Sequence, residues 1–423
     1  MELSGARLPA RAGCVVVGGG VLGLATAGAL ARRGEEVVVL EKSRVGAGAS
    51  GIAGGIVRAY YRSPAMAEVV RRSVEVFESA PERFGLRQVG YFAVVPERQV
   101  ADLEAIAAQQ AQVGYDSELV LGNERCADVL RWLWPDFDAD GVQAVLHERR
   151  SGWADTSATI RELAGRARDA GANIHEGVRV TGLQWSGEAV SAVVTEHGAI
   201  ACDLAVVVPG PWAQEWLTAF GLDPGLVALW RAQEGDFALP GVGLQPPAGR
   251  ESPVVHFDHA GPLRADDGRL VHDGPWGIYF RLGRTGTGIV GGGLPERLPG
   301  TVALEPYGEG NAAHVAGAGF VELFTAGIAQ ALERFRGAGE RWEARPGGGV
   351  IALTADGYPV LDRVARNAYL ILDGGAAFKL LSLGELAAGD LLDGDEPLLE
   401  PFRLGRFAAG RGHVASAGPF PWT

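Results

Sequence analysis

The stretch "CVVVGGGVLGLATAGALARRGEEVVVLEK", residues 14–42, decides the fold. Val15 to Val17 is an apolar run of strand type, and Gly18-x-Gly20-x-x-Gly23 follows it at once. Val21 to Arg33 has helix-forming composition, and Gly34 stops it. Glu36 to Leu40 reads as a second strand with Glu41 at its carboxyl end. Each part has a physical task in holding a dinucleotide. Gly18 permits the tight turn, Gly20 lets the backbone approach a pyrophosphate, and Gly23 lets the helix pack close to the strands. The helix N-terminus offers free N–H groups and partial positive charge to the phosphates. Glu41, 18 residues after Gly23, suits ribose hydroxyls and repels a 2′-phosphate, which argues against NADP. The fingerprint alone does not separate FAD from NAD.

The same stretch contains 18 residues without a charge, Cys14 to Ala31, flanked by arginines. A membrane span is the competing reading. Four glycines in its first ten residues make a poor membrane helix, so the fingerprint is preferred.

Outward from there, 423 residues exceed one compact core, and two domains are expected. A net charge of −13 argues against a general binder of nucleic acid or of anionic membranes, both of which want a basic face. Three widely spaced cysteines, Cys14, Cys126 and Cys202, form neither a disulfide framework nor a metal pair, and no metal is expected. A cytoplasmic setting is the simplest expectation. Only two lysines occur, Lys42 and Lys379, against abundant arginine.

An NAD dehydrogenase would continue its doubly wound sheet after the second strand. Here a long insertion comes first, with helices expected over 66–77 and 98–111 and a strand over 89–95. Asp155 or Thr156 then caps a helix to about Asp169, and short strands follow at 174–186 and 189–195. Leu204 to Val208 is a buried strand ending at Pro209-Gly210. A second insertion, roughly 226–344, is strand-like and turn-rich, and a last apolar strand, 368–372, runs into "DGGAAFKLLSLGELAAGDLL". The expected fold is α/β. A Rossmann-type nucleotide-binding domain is built from three discontinuous segments, 1–85, 151–225 and 345–400. Residues 86–150 and 226–344 make an α+β substrate domain with an antiparallel sheet, and 401–423 is a tail that carries no reading.

Four stretches then resemble the D-amino-acid oxidase superfamily of FAD enzymes, most closely its sarcosine oxidase branch. They are the fingerprint with Glu41, "GASGIAGGIVRAYY" (48–61), "LAVVVPGPWA" (204–213), and "TADGYPVLD" (354–362) with "GGAAFKLLSLGELAAGDLL" (374–392). The resemblance implies FAD as cofactor and a small amine or amino-acid substrate. It implies that Arg58 and Lys379 together hold the substrate carboxylate, and that Tyr61 falls on an active-site tyrosine. It places Gly18, Gly20, Gly23, Glu41, Lys42, Ser50, Val180, Gly210, Gly374, Gly375, Ala377 and Phe378 around the cofactor. Charge-assisted donors agree with that role, since a carboxylate in a dry pocket needs them to offset its desolvation.

Two departures matter. The branch ties FAD to a cysteine where this chain has Gly349, which implies non-covalent FAD. The branch's oxygen-activating lysine falls on Val290, which implies slow reaction with oxygen. The implied reaction is hydride removal from the carbon beside nitrogen, giving an imine. His256 and His259 lie in the second insertion and receive no role. The competing readings are a flavoprotein subunit that passes electrons within a complex, and a flavin monooxygenase.

Overall fold

A computed structural model describes residues 8–284, 286–300, 302–394 and 396–422. Alternating valines of the first strand, Arg11–Val17, face opposite sides of a sheet and are buried on both, as a central parallel strand requires. That strand pairs in parallel with Val37–Glu41 on one side and Gly198–Val207 on the other. Asn173–Glu176 extends the sheet beyond Val37–Glu41, and Ala368–Leu372 pairs in parallel with Gly198–Val207. The antiparallel strands Val180–Ser186, Ala189–Thr195 and Val360–Ala365 complete its edges. The helix Val21–Arg32 packs against the helices Thr156–Asp169 and Leu383–Leu392. The N-cap carboxylate of Asp155 accepts the Ala158 N–H at 2.7 Å and starts the second of these helices.

A second sheet runs in the order Glu343–Thr354, Val227–Ala238, Ile289–Arg297, Trp276–Leu282, Val254–His259, Tyr91–Pro96, Val142–Glu148, Ser117–Leu121. All its pairs are antiparallel except Tyr91–Pro96 with Val254–His259. The pleat sorts its residues. Phe92, Val255, Phe257, Ile278, Phe280 and Phe237 point into one apolar core, where Phe237 stacks on Phe324 of the helix Ala318–Ala331 at 4.1 Å. Tyr91, His256, Tyr279 and Glu234 stand on the opposite face. A three-stranded ribbon, Ile56–Val57, Gly152–Ala154 and Leu86–Arg87, leads the chain out of the first sheet just before Arg58.

Three expectations change. Residues 345–354, expected with the nucleotide-binding segment, belong to an edge strand of the second sheet. The expected strand 174–186 is two strands, broken at Gly177 with φ +71°. The second sheet contains one parallel pair where only antiparallel ones were expected.

Candidate active site

One cavity of about 500 Å³ runs from the fingerprint turn to Lys379. At its first end the glycines leave a cradle that side chains would fill. Gly18 has φ +110°, and a methyl group there would collide with the Val208 carbonyl oxygen. A methyl at Gly23 would strike the Gly18 carbonyl, so Gly23 supports the turn without lining the cavity. The helix that begins at Val21 has no side-chain cap of its own; the Val21 N–H donates to Ser50 Oγ at 3.2 Å. Glu41 accepts the Gly19 N–H and the Ser43 N–H, each at 2.9 Å, and this holds its carboxylate at the strand end. Gly-lined backbone, a helix N-terminus and a fixed carboxylate on one elongated cavity fit a dinucleotide such as FAD.

Lys42 is ion-paired with Glu305, and its ammonium sits 3.1 Å from the centre of the Trp212 ring. Val180, Gly210, Gly375, Ala377 and Phe378 also line the cavity. Gly374 does not; it packs on the backbone of Tyr358 and supports the turn from behind. Gly349 lies on the wall beside Ile52 and Tyr307. The three cysteines are buried and unpaired, and none lines the cavity.

The other end carries charge. Arg58 is 4% exposed; its Nη1 donates to the Tyr60 carbonyl at 2.5 Å and its Nη2 to the Trp422 carbonyl at 3.4 Å. Its guanidinium lies 4.8 Å from the Tyr61 ring centre and 5.9 Å from that of Tyr91. Among the described residues no carboxylate forms an ion pair with Arg58 or Lys379. Burial, and next the like charge of Arg58, push the Lys379 ammonium down to about 7, against the pull of Asp373 and Glu234. Two buried cations close enough to repel, neither in ion-pair contact with a carboxylate among the described residues, make this end of the cavity favourable to an anion. Tyr61 lines the same space, and its hydroxyl has no hydrogen-bond partner among the described residues.

The structure adds residues to which the sequence reading gave no role. Glu234, Tyr279, Tyr91 and His256 reach the cavity from four strands of the second sheet. For three of them the signal was present as alternation: Tyr91, His256 and Tyr279 each adjoin a buried aromatic or aliphatic residue of the opposite face, whereas Glu234 lies between Gln233 and Gly235. His256 Nε2 lies 2.9 Å from Asp258 Oδ1, whereas His259 stacks on Trp276 away from the cavity. The tail, which carried no reading, returns to the site. Trp422 lines the cavity, Phe420 lies 4.9 Å from the His256 ring, and Ser416 and Ala417 donate to Asp102. Val290 is corrected. It sits on Ile289–Arg297 opposite Asp236 and Arg281 and does not line the cavity.

The sequence matches the family described as "FAD dependent oxidoreductase" over residues 14–389. Among curated proteins it is 26% identical over 274 residues to 4-methylaminobutanoate oxidase (formaldehyde-forming) of Paenarthrobacter nicotinovorans, covering 62% of this chain and 32% of that protein. It is 29% identical over 237 residues to human mitochondrial sarcosine dehydrogenase, covering 53% and 25%. It is 30% identical over 217 residues to sarcosine oxidase subunit beta of Rhizobium meliloti (strain 1021), covering 47% and 50%. The chain thus spans a quarter to a half of these relatives' length. L-proline dehydrogenase from P. horikoshii shares the fold, with a TM-score of 0.76 at 21% identity over 96% of this chain and 100% of that one. Glycine oxidase from Geobacillus kaustophilus does so with a TM-score of 0.71 at 20% identity over 96% and 100%.

Proposed function

The chain belongs to the family of FAD-dependent oxidoreductases, and on that premise we propose that it oxidises the C–N bond of a small amine bearing a carboxylate, an amino acid or an N-substituted one. The observation that carries this reading is the pair of buried cations, Arg58 and Lys379, neither ion-paired among the described residues, on the cavity whose far end is the dinucleotide cradle. The printed names of the relatives, sarcosine and 4-methylaminobutanoate among them, describe substrates of that class.

FAD, when bound, supplies a two-electron acceptor for the hydride of the carbon beside nitrogen. The chain's own residues do the rest. The Val21–Arg32 helix N-terminus and Gly20 would hold the pyrophosphate, and Glu41 would hold ribose hydroxyls. Gly375, Ala377 and Phe378 line the part of the cavity next to Lys379 and would hold the ring end. Arg58 offers a planar fork to the substrate carboxylate and Lys379 a point charge. Tyr61 and Tyr91 pack around Arg58 and keep water from it. In this reading the first sheet is the nucleotide-binding part and the second sheet the substrate part. The absence of a cysteine on the cavity wall favours non-covalent FAD, and three free thiols suit a reducing, cytoplasmic setting.

The test is anaerobic bleaching of the FAD-loaded protein by sarcosine, dimethylglycine, 4-methylaminobutanoate, glycine and L-proline, each beside its amine without the carboxylate. Bleaching by at least one acid and by none of the bare amines is expected. Equal bleaching by acids and bare amines would overturn the reading.

A further inference from the structure

Glu234 is a carboxylate on the wall of a cavity that already holds two cations. It stands on Val227–Ala238, at the pleat position shared with Ala232, which also lines the cavity. Its only described hydrogen bond is from the Tyr279 hydroxyl to Oε2, at 3.2 Å. No arginine or lysine lies within ion-pair distance among the described residues. Arg281, on the strand next but one, instead donates to the carbonyls of Leu282 and Gly54 and lies over the Trp153 ring at 4.3 Å. Space for the carboxylate exists because residue 54 is glycine; a methyl there would collide with Oε2. A buried carboxylate without a cationic partner is unfavourable unless a ligand supplies one.

Other acids and bases of the cavity already face a group of the protein. Asp373 accepts the Ala377 N–H at 3.2 Å. His256 faces Asp258. Glu305 holds Lys42, and Glu41 holds two backbone N–H groups. Burial drives the Tyr279 phenol well above its ordinary range, so it serves as a donor to Glu234 and carries no charge.

We propose that Glu234 receives the ammonium nitrogen of the substrate, so that the site recognises a zwitterion: carboxylate on Arg58 and Lys379, amine on Glu234. This rests on the carboxylate–amine reading above and deepens it. Tyr279 orients the acceptor by occupying Oε2, which leaves Oε1 for the amine. The site thus rejects plain carboxylic acids, whose apolar tail would leave Glu234 unpaired. Burial, offset in part by Arg281, Tyr279 and Lys379 and reinforced by Asp236, raises the Glu234 carboxyl to about 7, so its charge depends on pH close to neutrality.

The test compares two ligands of nearly equal shape, sarcosine and butanoate, which differ by the nitrogen. Binding is measured by calorimetry on FAD-loaded protein reduced beforehand under nitrogen, so that no turnover occurs. The wild type should hold sarcosine at least roughly tenfold tighter than butanoate at pH 8. That ratio should shrink as pH falls through about 7, because protonated Glu234 cannot pair with the ammonium. The titration of Lys379 acts on both ligands alike and cancels in the ratio. Glu234→Gln keeps the shape and the acceptor for Tyr279; it should weaken sarcosine by ~10–100-fold, bind butanoate as well or better, and give a ratio flat with pH. A ratio unchanged by Glu234→Gln, or an equal loss on both ligands, overturns this inference and leaves the carboxylate reading standing. Failure of both ligands to bind either protein overturns both.

Discussion

The two ends of the cavity are built in opposite ways. The nucleotide end comes largely from one stretch, residues 14–50, and works through backbone: Gly18, Gly20, the N–H groups at Val21, and one carboxylate tied to two N–H donors. Its carboxylate is already fixed by two N–H donors, while the helix N-terminus has no side-chain cap and is left to a ligand. The substrate end is collected from positions 58, 61, 91, 234, 256, 279, 379 and 422, and among the described residues its Arg58, Glu234 and Lys379 have no ion-pair partner. One end spends few polar groups and gains fixed geometry. The other accepts desolvated charge, which destabilises the empty protein and is relieved when a complementary ligand enters.

The contrast predicts that removing charge at the substrate end costs activity and not stability. Lys379→Met should lower kcat/KM on a carboxylate substrate by roughly 30-fold or more, since losing one partner of a buried charge pair costs ~2–5 kcal/mol. Its melting temperature should stay level or rise, because a buried unpaired charge is gone. Arg58→Met should act the same way on activity, and the double variant should lose less than the sum, as both grip one group. A clear fall in melting temperature for Lys379→Met would break the contrast.

At the nucleotide end the reverse holds. Gly18→Ala puts a methyl into a left-handed conformation against the Val208 carbonyl. Strain of ~1–3 kcal/mol should lower both the melting temperature and FAD affinity, the latter by ~5–150-fold in equilibrium dialysis. Tight FAD with an unchanged melting temperature would show that the cradle does not depend on Gly18.

The smallest expected effect is electrostatic. With Lys379 near 7, its cationic form is lost as pH rises, so in a Glu234→Gln background, which removes the other group titrating there, butanoate affinity should weaken by up to ~10-fold per pH unit above about 7. Below that it should level off until the ligand carboxylate itself is protonated. Lys379→Arg, whose charge persists, should flatten the profile. A profile flat from pH 6 to 9 in that background would place Lys379 away from the anion.

What the two ends teach about reading a sequence follows from their construction. Short-range geometry is legible: the turn at Gly18, the helix after it and Glu41 at the strand end are set by spacing along one stretch, because backbone N–H groups and glycine clearances are local. The resemblance added Arg58 and Lys379 by residue type, and the structure brings both onto one cavity. It could not place Val290, which shares the pleat side of Glu234 and Tyr279 but lies one step further along the strands, opposite Asp236 and Arg281 and off the cavity wall. Trp422 and Phe420 had no local signal, because their contacts span the length of the chain.

By itself the sequence determined the cradle, the acid that ends the second strand, the scarcity of lysine that makes Lys379 conspicuous, and the interrupted order of segments. Only the tertiary structure decided that Glu234, Tyr279, His256 and Trp422 share a wall with Arg58 and Lys379. It also decided which charges stand unpaired, since ion pairing and desolvation depend on what surrounds a group in space. Strand pairing joins residues hundreds of positions apart, and no spacing along the chain encodes that neighbourhood.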